Sequence, residues 1–198
     1  MHVIKTFLSV ALLLFVLLGC MTPGQQLDSS AIGQLHQGQT QEEVRQIFGK
    51  PKESTTGANG NKLDVFQVVF SRKMSDGVGK IEIRSVHILY NAQGQVDKFF
   101  PHVGEMKGYI RRNQKWNAGH PFSTEKLNSV QRRLTTHDEL IEMFGPAVIE
   151  GLDVQGNRGA RWYFMEGEAQ KEVRRRELSV LFDDNLVVRD FLLRDLHK

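Results

Sequence analysis

Apolar and polar residues are spaced along this chain in three different rhythms. The first is a nearly unbroken apolar run, Phe7 to Leu18, interrupted only by small Ser9 and Ala11. The second places apolar residues at i, i+3 and i+4, as Val44/Ile47/Phe48 and again as Leu140/Met143/Phe144. That spacing gives a short helix one apolar face. The third is strand-like alternation, in Val86/Ile88/Tyr90 and Leu178/Val180/Phe182. Each is followed by a turn rich in Asn, Asp or Gly and by further alternation, Val96 to Phe99 and Val188 to Phe191. These segments predict β-hairpins.

The helical and hairpin patterns form an internal repeat. Thr40 to Gly49 recurs as Thr136 to Gly145 at an offset of 96, and the hairpins recur at an offset of 92. Thr40 with Glu43, and Thr136 with Glu139, have the spacing of a capping box. Gly49 and Gly145 suit the left-handed position after a helix, and Pro51 and Pro146 follow closely. Weaker helices are expected at Ser29–Leu35 and Ser123–Leu134, and additional strands at Leu63–Phe70 and Ala160–Met165. In both hairpins the apolar phase shifts along the first strand, from Ile81/Ile83 to Val86/Ile88/Tyr90 and from Val173 to Leu178/Val180/Phe182. A β-bulge near Arg84–Ser85 would account for this. Gln25–Ser30 and Pro101–Pro121 read as linkers. The expected fold class is therefore α+β: two tandem ααβββ units, each with two short helices packed on an antiparallel sheet. The expected boundaries are a leader over 1–19, a short N-terminal segment over 20–28, units over 29–101 and 122–198, and a linker over 102–121.

The Phe7 to Leu18 run is about twelve residues long, against roughly twenty needed to span a bilayer, so it reads as a signal-peptide h-region behind Lys5. It ends in Leu17-Leu18-Gly19-Cys20, which resembles the lipobox of bacterial lipoproteins. That resemblance implies cleavage before Cys20 and lipid on its thiol. Three acyl chains, at about 0.8 kcal/mol per buried CH₂, would make the anchor effectively permanent. Met21 stands where an inner-membrane retention signal usually has Asp, which favours the outer membrane.

Cys20 is the only cysteine, so its acylation would leave no disulfide and stability must come from packing. Losing Lys5 with the leader lowers the formal net charge from +3 to +2, too weak a balance to imply nucleic acid.

The string Leu35 to Pro51, with Gly38, Thr40, Val44, Gly49 and Pro51 in register, resembles the G-x-T-x-x-x-V…G-x-P signature of the SmpA/OmlA (BamE-like) lipoproteins. The second unit is similar but looser, with Leu134 aligned to Gly38 and Pro146 one position early. The resemblance implies an accessory lipoprotein on the periplasmic side of the outer membrane that works by binding other envelope proteins, β-barrel assembly components being candidates. Two units rather than one separate this chain from BamE itself, and fold transfers better than job. A tandem of such units is also seen in proteins resembling the secreted β-lactamase inhibitor. The alternative function is therefore an inhibitor or sensor of a periplasmic hydrolase, with Tyr90, Trp162, Tyr163 and Phe164 as candidate aromatic anchors. Arg111, Arg112, Lys115 and Trp116 are candidates for resting on a membrane surface.

No enzyme, cofactor or metal site is expected. The histidines His36, His87, His102, His120, His137 and His197 show no metal-ligand spacing. His87 is out of phase with Val86 and Ile88 and should face the other side of its strand. Ser123 and Lys126 match Ser-x-x-Lys without the companion motifs, so Ser123 reads as a helix cap. Asp183-Asp184-Asn185 reads as a plain turn and not a calcium loop. The basic run Lys171 to Glu177 reads as a solvated, edge-like strand.

Overall fold

Side-chain caps start the helices. Thr40 Oγ1 accepts from the Glu43 amide at 3.3 Å, and Glu43 accepts from the Thr40 amide at 2.7 Å; Thr136 and Glu139 repeat both distances. Ser123 caps a third helix by accepting from the Lys126 amide, and Asp28 caps the first by accepting from Ala31. In the computed structural model, which describes residues 27–73, 78–110, 115–168 and 173–197, these helices are α1 (Ser29–Ile32), α2 (Gln41–Phe48), α3 (Thr124–Asn128) and α4 (His137–Phe144). The described parts of the two stretches read as linkers are structured: Leu27 is buried, and strand runs through 102–110 and 115–119.

The strands are β1 (Glu53–Thr56), β2 (Lys62–Lys73), β3 (Val78–Tyr90), β4 (Val96–Ile110), β5 (Lys115–Gly119), β6 (Ile149–Leu152), β7 (Arg158–Glu168), β8 (Val173–Phe182) and β9 (Val188–His197). They form one antiparallel sheet in the order β1-β2-β3-β4-β5-β7-β8-β9, with β6 paired to β7 beside β5. This corrects the expectation of two ααβββ units. The described residues form a single continuous, predominantly β structure with four short helices among them. The stretch read as a linker joins the halves, because β4 runs on to Ile110 and β5 bridges it to β7. Its glycines serve close packing. A Cβ on Gly104 would lie 1.9 Å from the Val148 carbonyl oxygen, and one on Gly119 would lie 2.0 Å from that of Tyr163.

The repeat survives within this sheet down to single residues. Each half has a helix-capping threonine bridged to the hairpin turn, Thr40 to Gln95 and Thr136 to Val187. Ring pairs recur as Phe48–Phe66 at 5.3 Å and Phe144–Trp162 at 6.3 Å. The ladder slips by one residue at Leu89/Tyr90 and again at Leu181/Phe182. Each half also has a short hairpin that the sequence pattern did not reveal, with Gly60 (φ 81°) and Gly156 (φ 82°) in the turns. Gly38 (φ 85°) donates to Val96 as Arg133 (φ 65°) donates to Val188. Leu134 is therefore an inserted, exposed residue, not the counterpart of Gly38.

No bulge lies at Arg84–Ser85, where pairing with β4 is regular from Val78 to Leu89. The apolar phase changes because β3 is buried on opposite faces at different points. Val86, Ile88 and Tyr90 join α1 and α2 in one core, whereas Ile83 and Leu89 pack on the other side against second-half residues Val148 and Leu152. The sheet thus curls so that β6 crosses the inner face of β3 and β4. Phe144, Trp162, Leu178 and Phe182 form the matching core of the second half.

Candidate functional site

The curl leaves a groove where β4 and β7 diverge from β5. β4 pairs with β5 only through Gly108–Ile110, so its stretch from His102 to Lys107 faces the opening. The groove has a volume of about 1010 Å³. Val103, Ile141 and Pro146 are among its apolar lining, the core rings of Phe122, Phe144 and Trp162 lie beneath, and His102 and His120 also line it. Trp162 is locked in place by its Nε1, which donates to the Gly145 carbonyl at 2.8 Å. A strand edge beside an apolar lining suits an extended polypeptide better than a small polar metabolite.

Buried ion networks brace the ends of the two halves. In the first, fully buried Asp64 accepts from Ser54 Oγ at 2.6 Å, with Lys62 at 3.8 Å and Arg45 at 4.0 Å. In the second, the acid has moved across the ladder: Glu150 occupies the position equivalent to Ser54, and Ala160 that of Asp64. Glu150 accepts from Arg158 at 2.6 Å and lies 3.2 Å from His137 Nε2. Arg158 also stacks 4.7 Å over the Phe100 ring of β4, tying the halves together.

Burial pushes the His87 and His102 imidazoles below the usual histidine range. His87 does face away from Val86 and Ile88. Its Nδ1 lies 3.1 Å from the Leu152 carbonyl and 3.2 Å from the Leu152 amide. Both rings prefer to be neutral in the fold, whereas in the unfolded chain they titrate near pH 6.5. On acidification below about pH 6.5 the unfolded chain takes up protons first, so stability should fall with pH until the depressed native values are passed. A urea-denaturation series from pH 7.5 to 5 should show that loss, and His87→Gln should make the slope shallower.

Of the candidate anchors, Tyr90 and Trp162 are core residues, 0% and 1% exposed, and Phe164 is buried too. They cannot serve as projecting anchors. Tyr163 is half-buried beneath the Arg175 guanidinium, 5.0 Å from its ring. The Tyr90 hydroxyl has no hydrogen-bond partner among the described residues, and burial together with Asp64 raises its pKa. The second half has Phe182 at the equivalent position. Tyr90→Phe should therefore be neutral or stabilising by up to about 1 kcal/mol, since it removes an unsatisfied buried hydroxyl; thermal melts of the two proteins would measure it.

Cys20, Arg111 and Arg112 lie outside the described residues. Trp116 belongs to β5, opposite Ile110 on β4 and Gly167 on β7. The basic run is not on an edge: β8 lies between β7 and β9, where Arg174 and Arg176 pair with Asp195 and Arg175 with Glu177. Asp183 closes a plain turn by accepting from the Asn185 and Val187 amides. The described residues hold no cluster of three His, Cys, Asp or Glu able to take a metal ion, and no described helix is long and apolar enough to cross a membrane.

Sequence reasoning missed a surface feature of the first half. Val69 and Phe70 are 54% and 42% exposed near the end of β2. They fall within the strand expected at Leu63–Phe70, with nothing in the sequence to say that the sheet would leave them uncovered.

No family model, curated protein or solved structure matches the chain. Its function must be read from its own residues.

Proposed function

We propose that this chain is a non-enzymatic, lipid-anchored binding protein, tethered through Cys20 to the periplasmic face of the outer membrane and engaging other envelope proteins through its sheet. The observation that carries the proposal is the leader ending in Leu17-Leu18-Gly19-Cys20 directly ahead of the folded body. The groove along β4 supports it, since an apolar lining beside a strand edge is a surface for polypeptide. The similarity of Leu35 to Pro51 to the BamE-like signature points the same way. An inhibitor of a periplasmic hydrolase would need projecting aromatic anchors, and with Tyr90, Trp162 and Phe164 in the cores no observation favours that reading.

Crosslinking of the native protein in intact membranes, followed by mass spectrometry of the adducts, tests the proposal. Adducts to envelope proteins are expected, with crosslinked peptides from β4 or β2. A mature chain found in the cytosol, or membranes that yield no envelope partner, would count against it.

A further inference from the structure

The two halves of the sheet are equivalent strand for strand, but one edge is treated differently. In the second half, β6 pairs with the start of β7 and β5 continues along the same edge, from Phe164 to Glu168. In the first half, β1 pairs with the start of β2 in the same register, Glu53 opposite Val65 as Ile149 is opposite Arg161. Beyond Val65, no strand among the described residues continues along that edge of β2. The positions equivalent to those covered by β5 are Val68 to Arg72.

Backbone geometry makes this edge competent to pair. The Lys52 amide donates to the Val65 carbonyl at 2.8 Å, so the Val65 backbone points outward. Alternation then turns the N–H and C=O groups of Gln67, Val69 and Ser71 outward as well, while those of Val68 and Phe70 bond to β3. An open row of this kind is a template for strand addition. The side chains agree. In the second half, β5 covers Met165 with Ala118, both in one apolar cluster; the counterpart of Met165 is exposed Val69. On the opposite face Phe70 lies open under the Arg84 guanidinium, 5.1 Å from its ring.

Charge selects among possible occupants. Gln67 to Lys73 contains no acid, and Lys52 and Arg72 bracket the open stretch. Two copies of this edge paired together would bring basic segments side by side, whereas an acidic strand would be attracted to it.

We propose that the open edge of β2, centred on Val69, receives an extended acidic segment of a partner protein as an added antiparallel strand, in the place that β5 fills in the second half. This rests on the reading that the protein binds other proteins and names where and what kind of segment. The segment carries a small apolar residue over Val69 and acidic residues towards Lys52 and Arg72.

The test uses the mature chain with Cys20→Ala, isotopically labelled, and the probe peptide acetyl-Glu-Ala-Glu-Val-Asp-Val-Glu-amide. Saturating probe should slow hydrogen exchange at the amides of Gln67, Val69 and Ser71 at least tenfold. Val69→Pro removes only an outward donor and should weaken binding at least tenfold. A probe N-methylated at alternate residues should fail against the unchanged protein, which keeps the test valid if the proline variant misfolds. A probe with lysine in place of each acid should bind at least tenfold more weakly. The proposal is overturned if those amides gain no protection, if N-methylation has no effect, or if the basic probe binds equally. It is also overturned if the free protein already protects them in a concentration-dependent dimer, which would make a second copy the occupant. Because the probe is synthetic, these failures are distinct from a failure to find partners in membranes.

Discussion

Gly104→Val will lower the stability of the fold by about 3 kcal/mol or more, although valine is the better strand residue. Gly104 lies in β4 where β6 crosses it. An added Cβ would stand 1.9 Å from the Val148 oxygen and 2.6 Å from the Val148 carbonyl carbon. Those are backbone atoms of the segment entering β6, so no side-chain rotation can relieve the clash. Relief requires β6 to lift off β4, which uncovers the inner-face cluster of Ile83, Met106 and Val148. Gly79→Ala is the control, in the neighbouring strand. Its nearest non-adjacent atom is 4.0 Å away, so the change should stay within about 1 kcal/mol. Urea midpoints for the three proteins would decide the matter. Equal midpoints for Gly104→Val and the parent would mean that the two halves are not packed together as described.

Trp162→Ala should cost about 3–5 kcal/mol. The indole is 1% exposed, stacks edge-on at 6.3 Å from Phe144 and satisfies the Gly145 carbonyl that ends α4. Truncation therefore opens a large cavity and also strands an acceptor. Trp162→Phe recreates the ring that the first half uses at Phe66, and should lose only about 1–2 kcal/mol, from the smaller volume and the lost hydrogen bond. Thermal melts should rank the proteins in that order. A Trp162→Ala protein as stable as the phenylalanine variant would show that the second core does not depend on this side chain.

Local chemistry was legible in the sequence because it depends on a few adjacent residues. The threonine–glutamate caps, the glycines after α2 and α4, the turns at Asn91 and Asp183 and the Ser123 cap all follow from spacing alone. The repeat was legible too, since it needs only self-comparison. The sheet was not. β1 is Glu-Ser-Thr-Thr, exposed throughout, so its pairing leaves no trace in hydropathy. β5 is held by neighbours on both sides, and its five residues, Lys-Trp-Asn-Ala-Gly, are too short a run to stand out as a strand. The phase change in β3 suggested a bulge because a one-faced strand must keep its phase, whereas β3 is buried first on one face and then on the other. Pairing across some fifty residues, Trp116 to Gly167 for example, cannot be read from local periodicity. The same limit hid the β4 groove and the open end of β2. Tyr90 and Trp162 drew attention as large aromatics, and large aromatics are also what a core takes first.

The anchor is the feature on which the proposed function depends most directly. Intact mass and N-terminal peptide analysis of the chain extracted from membranes of its native host would test it. The expected species begins at Cys20, carries diacylglyceryl and amide-linked acyl groups on that residue, and is absent from the soluble fraction. A mature chain that begins elsewhere, or that retains a free Cys20 thiol in the soluble fraction, would contradict the lipid-anchored binding protein proposed above.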